Sequence, residues 1–297
     1  MQLNTSKIKI YLYIVIAMIC WSFSFIWTRI GLESFEPITL ISLRLILASI
    51  FLYFFAKITG KFKRLEKRDF KIFLLLSFFE PFMYYVGETY GLTLVEPTLA
   101  SVIISTIPVI APVFAFIFLR EKISTLNFIG IVFSIIGVYL VVHRPDGNSS
   151  TQLKGIALIL LAVLSAICYS VILRKIPQKY SATNIILYQS LLSLLFFIPT
   201  FLIVDFPTIQ HINISLESVQ ALLLLTIFAS VIAFVLFADV VREIGVARTQ
   251  IFVNLIPVFT AVLSWILLKE QLNLFQWTGI LIVISSLFIS QKQKAKA

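Results

Sequence analysis

Apolar residues occur along this chain in continuous blocks of about 18 to 24 residues, separated by short polar segments. A helical block of that length crosses a bilayer, because an α-helix rises about 1.5 Å per residue and the hydrocarbon core is about 30 Å thick. Within such blocks, only helices satisfy every backbone polar group. We therefore predict ten transmembrane helices, at residues 9–30, 37–56, 70–91, 95–119, 125–142, 154–173, 181–204, 217–240, 245–268 and 273–290.

The second half of the chain repeats the pattern of the first half at an offset of 149 residues. In each copy, an apolar segment with a central proline leads into a basic-acidic turn and then into an apolar segment that carries a glycine. The matching positions are Pro108 and Pro257, Arg120-Glu121 and Lys269-Glu270, and Gly130 and Gly279. A repeat half as long as the chain indicates a duplicated unit.

Each half contains five predicted spans, so each span should cross the membrane in the opposite direction to its copy. Span four is expected to run from outside to inside, and span nine from inside to outside. The polar segment His143–Leu153 connects the two halves. The predicted fold is an all-α membrane protein built from two inverted five-helix repeats, at residues 1–145 and 146–297.

Composition agrees with a membrane protein and excludes a soluble one. Mean hydropathy is +1.02, 60% of the residues are hydrophobic and 13% are charged, which leaves too little polar surface to cover a soluble core. Of the 24 Lys and Arg residues, nineteen fall on the side of the N-terminus and four on the other side, with Arg44 inside the membrane. This bias predicts that both termini lie in the cytoplasm. The expected localisation is the plasma (inner) membrane. The formal net charge of +10 comes mostly from these loops, so no nucleic-acid partner is expected.

The sequence lacks the residue patterns of a membrane enzyme. Both histidines, His143 and His211, lie in predicted outer loops, and the two cysteines, Cys20 and Cys168, lie within spans without metal-ligand spacing. No HExxH motif, GxSxG motif or glycine-rich phosphate loop is present. We expect no enzymatic activity, no metal and no cofactor.

The chain resembles an EamA-type member of the drug/metabolite transporter (DMT) superfamily. The resemblance rests on the ten spans in two inverted halves, on Arg44 within the RLILA segment of span two, and on the duplicated proline-to-glycine module. It implies a central cavity between the halves, lined mainly by spans one, three, four, six, eight and nine. Members of this family mostly move amino acids or other small metabolites, often outward.

The function expected from this resemblance is export of an amino acid or related compound by alternating access. The alternatives are an importer or exchanger of another metabolite or drug, and a passive membrane pore. The expected partners are a small-molecule substrate and membrane lipid, and the protein is expected to be a monomer or a homodimer.

Pro108 and Pro257 each lie near the middle of their spans. A proline lacks the backbone N–H and its ring clashes with the preceding turn, so each helix should kink and free a carbonyl near mid-membrane. We interpret the two prolines as gating kinks. The alternative is a pair of fixed kinks that only shape the packing.

Charged residues inside the membrane are candidates for function because each is costly unless it is paired or hydrated. Glu80, Tyr84 and Glu88 follow one another at four-residue spacing, so they share one face of span three. We predict that Glu88 contacts the substrate, and that Glu80 and Arg44 carry a coupling proton or form an ion pair. A purely structural pairing of a glutamate with Arg44 is the alternative.

Uncharged polar and aromatic side chains complete the predicted substrate site. They share positions near the prolines or within the cavity-lining spans, and they are Trp21, Tyr84, Tyr85, Ser105, Tyr169, Gln250 and Asn254. Trp21 and Tyr169 occupy matching places in the two repeats. The alternatives are interhelical hydrogen bonds for the polar side chains and core packing for the aromatic ones.

Overall fold

The computed structural model describes residues 5–119, 125–142, 150–173, 175–207, 214–244 and 252–291, and every regular element within these ranges is helical. The basic-acidic turn of the first repeat, Arg120-Glu121, and the predicted site residue Gln250 lie outside the described residues.

The first half begins with two long helices and then contains two interrupted ones. The elements are α1 (Thr5–Gly31), α2 (Pro37–Ile58), a 3₁₀ turn (Lys67–Asp69), α3 (Phe70–Ser77), a π-helical segment (Phe78–Met83), α4 (Tyr84–Leu94), α5 (Pro97–Ile104), α6 (Ile107–Leu119) and α7 (Thr125–Val142). Proline occupies the first turn of α2 and of α5, where its missing N–H has no helical partner to lose.

The second half follows the same plan. Its elements are α8 (Ser150–Leu173), α9 (Ala182–Val204), α10 (Leu216–Leu224), a π-helical segment (Leu225–Ile232), α11 (Ala233–Ile244), α12 (Leu255–Leu267) and α13 (Leu274–Gln291). Ser181 caps α9 by accepting the Asn184 N–H, and Ser215 caps α10 by accepting the Ser218 N–H. Both side chains satisfy a donor that the first turn leaves free.

The helices confirm a multi-pass membrane protein. Within the described ranges, six are long and apolar enough to cross a bilayer: Ile10–Gly31, Pro37–Ile58, Lys67–Leu94, Ser150–Leu173, Ala182–Val204 and Leu216–Phe237. Shorter apolar helices, at Pro97–Ala111, Phe128–Val142, Leu255–Leu267 and Leu274–Ser286, lie within the other four predicted spans. The ten-span inverted arrangement, its central cavity and the repeat boundaries stay predictions.

Pairs of helices from the two halves pack side by side: α2 with α9, α4 with α8, and α7 with α13. Glycine allows the closest of these approaches. A β-carbon at Gly137 would lie 2.8 Å from the Gly279 carbonyl oxygen, and one at Gly279 would lie 2.6 Å from the Gly137 carbonyl oxygen. Small residues at a helix crossing let the backbones meet and gain packing contacts within a membrane.

The α2–α9 pair is fastened at both of its ends. At one end, Asp205 after α9 accepts hydrogen bonds from the Thr39 N–H (2.6 Å) and the Thr39 hydroxyl (2.8 Å) in the first turn of α2. At the other end, Asn184 in the first turn of α9 accepts from the Lys63 N–H at 2.9 Å and donates to the Lys61 carbonyl at 2.6 Å. These bonds hold the two helices together at both ends.

Candidate functional site

Span three is interrupted beside Glu80. The backbone of Glu80 is extended (φ −141°, ψ 120°), and Pro81 follows through a cis peptide bond. The carbonyl of Phe79 accepts a hydrogen bond from the Ser165 hydroxyl of α8 at 2.6 Å. The Glu80 backbone therefore departs from helical geometry in the middle of the bundle. Pro81, which was not among the predicted site residues, is the sequence signal for this break, because it lacks the backbone N–H that a regular helix needs.

Span eight is interrupted at the matching place. Its π-helical segment, Leu225–Ile232, contains Ala229, which lies 149 residues after Glu80. The carbonyl of Ala229 accepts a hydrogen bond from the Trp21 indole of α1 at 3.2 Å. In both halves, a carbonyl at an irregular segment of the third span is thus bound by the first span of the other half. Short π-helical segments are frequent at functional sites.

Arg44 of α2 is buried, with 6% of its surface exposed. Its Nε donates to the Ser230 hydroxyl at 2.7 Å, and its guanidinium carbon lies 4.5 Å from the centre of the Tyr85 ring. Within the described part of the chain, no carboxylate oxygen lies within 4.0 Å of the guanidinium. The predicted direct ion pair of Arg44 is therefore not formed there, and a hydroxyl and an aromatic face take its place.

Glu88 lies next to this cation without touching it. The Tyr84 hydroxyl donates to Glu88 Oε1 at 3.1 Å, and Glu88 interacts electrostatically with Arg44. Only 7% of the Glu88 surface is exposed. A buried cation and a buried anion thus lie in one cluster, and each keeps hydrogen-bonding capacity that the hydrogen bonds given above do not use.

Glu80 and Tyr169 belong to the same cluster. The Tyr169 hydroxyl of α8 donates to Gln189 Oε1 of α9 at 3.1 Å. Glu80 interacts electrostatically with both Glu88 and Tyr169. Gln189 and Ser230 were not among the predicted site residues.

Trp21 forms part of a second aromatic group on the α1 side. Its ring centre lies 5.2 Å from that of Phe234 and 4.9 Å from that of Phe237. Trp21 and Tyr84 pack against the same core cluster. The side chains of Trp21, Glu80, Tyr84 and Tyr169 are partly exposed.

The two prolines that were predicted to be gating kinks, Pro108 and Pro257, each follow a break in their helix by two or three residues. A turn at Ser105 and Thr106 separates α5 from α6, ahead of Pro108, and a turn residue at Asn254 precedes α12, ahead of Pro257. The Ser105 hydroxyl donates to the Val102 carbonyl at 2.7 Å, so it stabilises its own helix.

Asn254 is the residue of the second half that matches Ser105, but its side chain differs from that of Ser105 in its hydrogen bonding. It is 1% exposed, and within the described part of the chain neither its amide nitrogen nor its amide oxygen has a hydrogen-bond partner. Nearby, the Ser22 hydroxyl of α1 lies 3.2 Å from the Ile256 carbonyl. A buried amide without partners is costly, which makes Asn254 a candidate contact for a bound molecule.

Metal ligands are not grouped in this site. Among the described residues, no three His, Cys, Asp or Glu side chains are close enough to hold a metal ion. The chemistry available here is recognition of charge and of an apolar or aromatic group.

Comparison with known proteins shows what this chain is similar to. A family model described as the EamA-like transporter family matches residues 8–143 and residues 153–291. The Bacillus subtilis uncharacterized transporter YetK is 28% identical over 257 residues, which cover 85% of this chain and 77% of that protein. An uncharacterized transporter of Archaeoglobus fulgidus is 25% identical over 284 residues, covering 95% and 97% respectively.

Another relative is the uncharacterized transporter in the trpA 3′ region of Buchnera aphidicola, which is 28% identical over 292 residues and is matched over 93% of its length. One crystal structure superposes with a TM-score of 0.70 at 13% identity, covering 96% of this chain and 98% of that one. At this identity the superposition shows a shared fold.

Proposed function

Because the chain belongs to the EamA-like transporter family, we propose that it exports a small zwitterionic metabolite, an amino acid or a related compound. The family match and the apolar helices support a multi-pass membrane protein of a transporter family. The substrate class, the direction and the mechanism are the proposal.

The observation that carries the proposal is that, among the described residues, the buried Arg44 and Glu88 lie in one cluster without a direct salt bridge. Arg44 is bound by a hydroxyl and an aromatic face, and Glu88 by a hydroxyl. A guanidinium offers five donors and a carboxylate about four acceptor sites, so both groups have capacity for a further partner. An α-amino acid carries one carboxylate and one ammonium, which match Arg44 and Glu88 in charge.

The energetics favour such a ligand. A buried charge that lacks a full partner is costly, because water no longer solvates it and the protein compensates only in part. A zwitterion supplies the missing charge to both groups at once. Aromatic rings of Tyr84, Tyr85 and Tyr169 lie in the same cluster, so an apolar or aromatic side chain suits the space beside it.

Alternating access is the proposed mechanism, and the irregular segments support it. Discontinuous helices typically form the substrate site of such transporters, and residues at the ends of helical elements can act as hinges. In this chain the breaks lie at Glu80, at Ser105 and Thr106, at Leu225–Ile232 and at Asn254. Since α2 and α9 are fastened at both ends, we propose that these two helices move together while the broken spans rearrange around them.

The test is transport by the purified full chain in proteoliposomes loaded with a panel of labelled amino acids. We expect saturable efflux that is accelerated by unlabelled substrate on the opposite side. Arg44→Gln should abolish this exchange, whereas Lys175→Gln, which removes an exposed charge, should leave it intact. Flux that never saturates would instead indicate a pore, and equal loss in both variants would remove Arg44 from the site.

A further inference from the structure

An open cleft lies at the end of the bundle that the Lys and Arg distribution predicts to be cytoplasmic, beside the connection between α2 and α3. Its volume is 520 Å³, and it is lined by Arg64, Leu65, Glu66, Lys67, Phe70 and Tyr188. The connection between α2 and α3 supplies most of these residues.

The backbone beside the cleft is held in place by α9. The Tyr188 hydroxyl accepts from the Leu65 N–H at 3.0 Å and donates to the Lys63 carbonyl at 2.7 Å. Asn184 accepts from the Lys63 N–H at 2.9 Å. Arg64 is therefore presented by a chain segment whose neighbours on both sides are bound, so a ligand would have little ordering to impose.

The acidic residues of this connection are already neutralised. Glu66 contacts Arg68 at 2.7 Å and Lys179 at 2.7 Å, and Asp69 contacts Lys179 at 2.6 Å. The Tyr180 hydroxyl also donates to Asp69 at 2.8 Å. Glu66 lines the cleft, but its charge is balanced by two cations, so it does not oppose the entry of an anion.

Two cations remain free to bind a ligand. Arg64 and Lys67 line the cleft with exposed side chains, and among the described residues neither makes an ion pair. Phe70, which lines the same cleft, keeps 40% of its surface exposed. It is the first residue of α3, and the apolar stretch Lys67–Leu94 begins beside it. The cleft thus lies beside the start of the third predicted span, where we expect the helix to enter the membrane.

We propose that this cleft binds the headgroup of an anionic phospholipid. Arg64 and Lys67 contact the phosphate, and Phe70 contacts the upper part of the acyl chains. Basic residues at the cytoplasmic surface attract anionic lipid, and an aromatic ring belongs at the boundary between headgroups and hydrocarbon. A soluble anion would use the two cations but would gain nothing from the exposed ring.

The experiment compares lipid retention by the full chain after reconstitution into nanodiscs of phosphatidylcholine with increasing fractions of phosphatidylglycerol. Native mass spectrometry counts the phosphatidylglycerol molecules that stay bound. For the double variant R64Q/K67Q, we expect half-maximal retention to require about tenfold more phosphatidylglycerol, because charge-assisted hydrogen bonds to the phosphate are lost. The matched control K61Q/K71Q removes two exposed charges outside the cleft and should retain lipid like the wild type.

Two further measurements distinguish a lipid headgroup from a soluble anion as the ligand of the cleft. Phe70→Ala keeps both cations and should weaken retention of phosphatidylglycerol, while inorganic phosphate should not displace the bound lipid. Equal losses in R64Q/K67Q and K61Q/K71Q would overturn the proposal in favour of diffuse attraction to the surface. Displacement by inorganic phosphate alone would overturn it in favour of a soluble anion. Melting temperatures in pure phosphatidylcholine, expected to match the wild type, show that each variant is folded.

Discussion

The Ser165 hydroxyl of α8 donates to the Phe79 carbonyl at 2.6 Å, across 86 residues of sequence. The acceptor immediately precedes Glu80, where the backbone of span three is no longer helical. A helix of the second half therefore stabilises the irregular backbone that positions Glu80 in the first half.

Ser165→Ala should destabilise the protein, because it removes the donor that satisfies this carbonyl. We expect a loss of about 1 to 2 kcal/mol in the free energy of unfolding, measured by denaturant titration in detergent. Ser170→Ala is the matched control, since that exposed hydroxyl only donates to Ala166 within the same helix. Equal stability of the two variants would contradict a role for Ser165 at the break.

Tyr85→Leu should weaken substrate binding by removing the ring beneath Arg44. A cation over an aromatic face in a desolvated site contributes about 1 to 2 kcal/mol, so the concentration for half-maximal transport should rise about tenfold. Tyr85→Phe keeps the ring and should retain most of the affinity. Tyr53→Leu is the control, because Tyr53 has a lysine at 5.7 Å from its ring but lies on the outer surface. A Phe variant as impaired as the Leu variant would assign the effect to the hydroxyl.

Asn254→Leu should raise stability and lower transport. The substitution removes two buried polar atoms that have no partner among the described residues, and such atoms cost about 1 to 3 kcal/mol when unsatisfied. Transport should fall because a bound substrate loses a polar contact at the break before Pro257. The paired measurements are the melting temperature and the rate of efflux. Unchanged transport with higher stability would make Asn254 a packing defect only.

The stability that the salt bridges of Lys179 with Glu66 and Asp69 contribute should depend on pH in a defined direction. The hydrogen bond from Lys179 lowers the pKa of Glu66 below its ordinary value of 4.5. Hydrogen bonds to Asp69 and Glu66 raise the pKa of Lys179 above 10.5, although its partial burial opposes this. The ionised carboxylates stabilise the fold above pH 4.5, and this stabilisation is lost as the pH falls below that value. The ammonium group stabilises the fold below pH 10.5, and this stabilisation is lost as the pH rises beyond that value.

Lys179→Gln should therefore lower the melting temperature at neutral pH, and the difference from wild type should shrink as the pH falls below 4.5. The measurement is a series of thermal unfolding curves of both proteins across that range. Lys175→Gln, which removes an exposed lysine of the same connection, is the control. A difference that persists unchanged in acid would show that Lys179 acts through packing and not through its charge.

The contribution of Glu270 to the stability of the fold should change with pH in the opposite direction. Burial raises the pKa of this carboxyl above 4.5, although the Thr98 hydroxyl, which donates to it at 2.8 Å, opposes the change. The unfolded chain then ionises before the folded one, so stability should fall as the pH rises through 4.5. Glu270→Gln keeps an acceptor for Thr98 and should melt above the wild type at neutral pH, with no difference in acid. A lower melting temperature at neutral pH would show that the charge stabilises the fold.

Much of the architecture was accessible from local pattern. Continuous apolar blocks predicted helices where helices are found, and the twice-occurring proline-to-glycine module pointed to the family that the match confirms. The four-residue spacing of Glu80, Tyr84 and Glu88 predicted a shared face, and the structure brings these residues into one cluster with Arg44.

Other features of the site were not predicted from such patterns. Glu80 was predicted to continue a regular helix, but Pro81 cannot supply the N–H that the helix needs, and the backbone leaves helical geometry there. Arg44 was expected to meet a carboxylate directly, yet its hydrogen bond goes to Ser230, 186 residues away. A serine within an apolar span carries no sign of such a role.

The sequence by itself determined that this chain crosses the membrane many times and that its halves share one pattern, because hydropathy and repetition are properties of consecutive residues. Only the tertiary structure decided which carbonyl, hydroxyl or ring meets each buried charge. Those choices depend on side chains that approach from other helices, such as Trp21 reaching Ala229 across 208 residues. The cost of an unsatisfied polar group in hydrocarbon makes such partners necessary, and helix packing selects which ones are used.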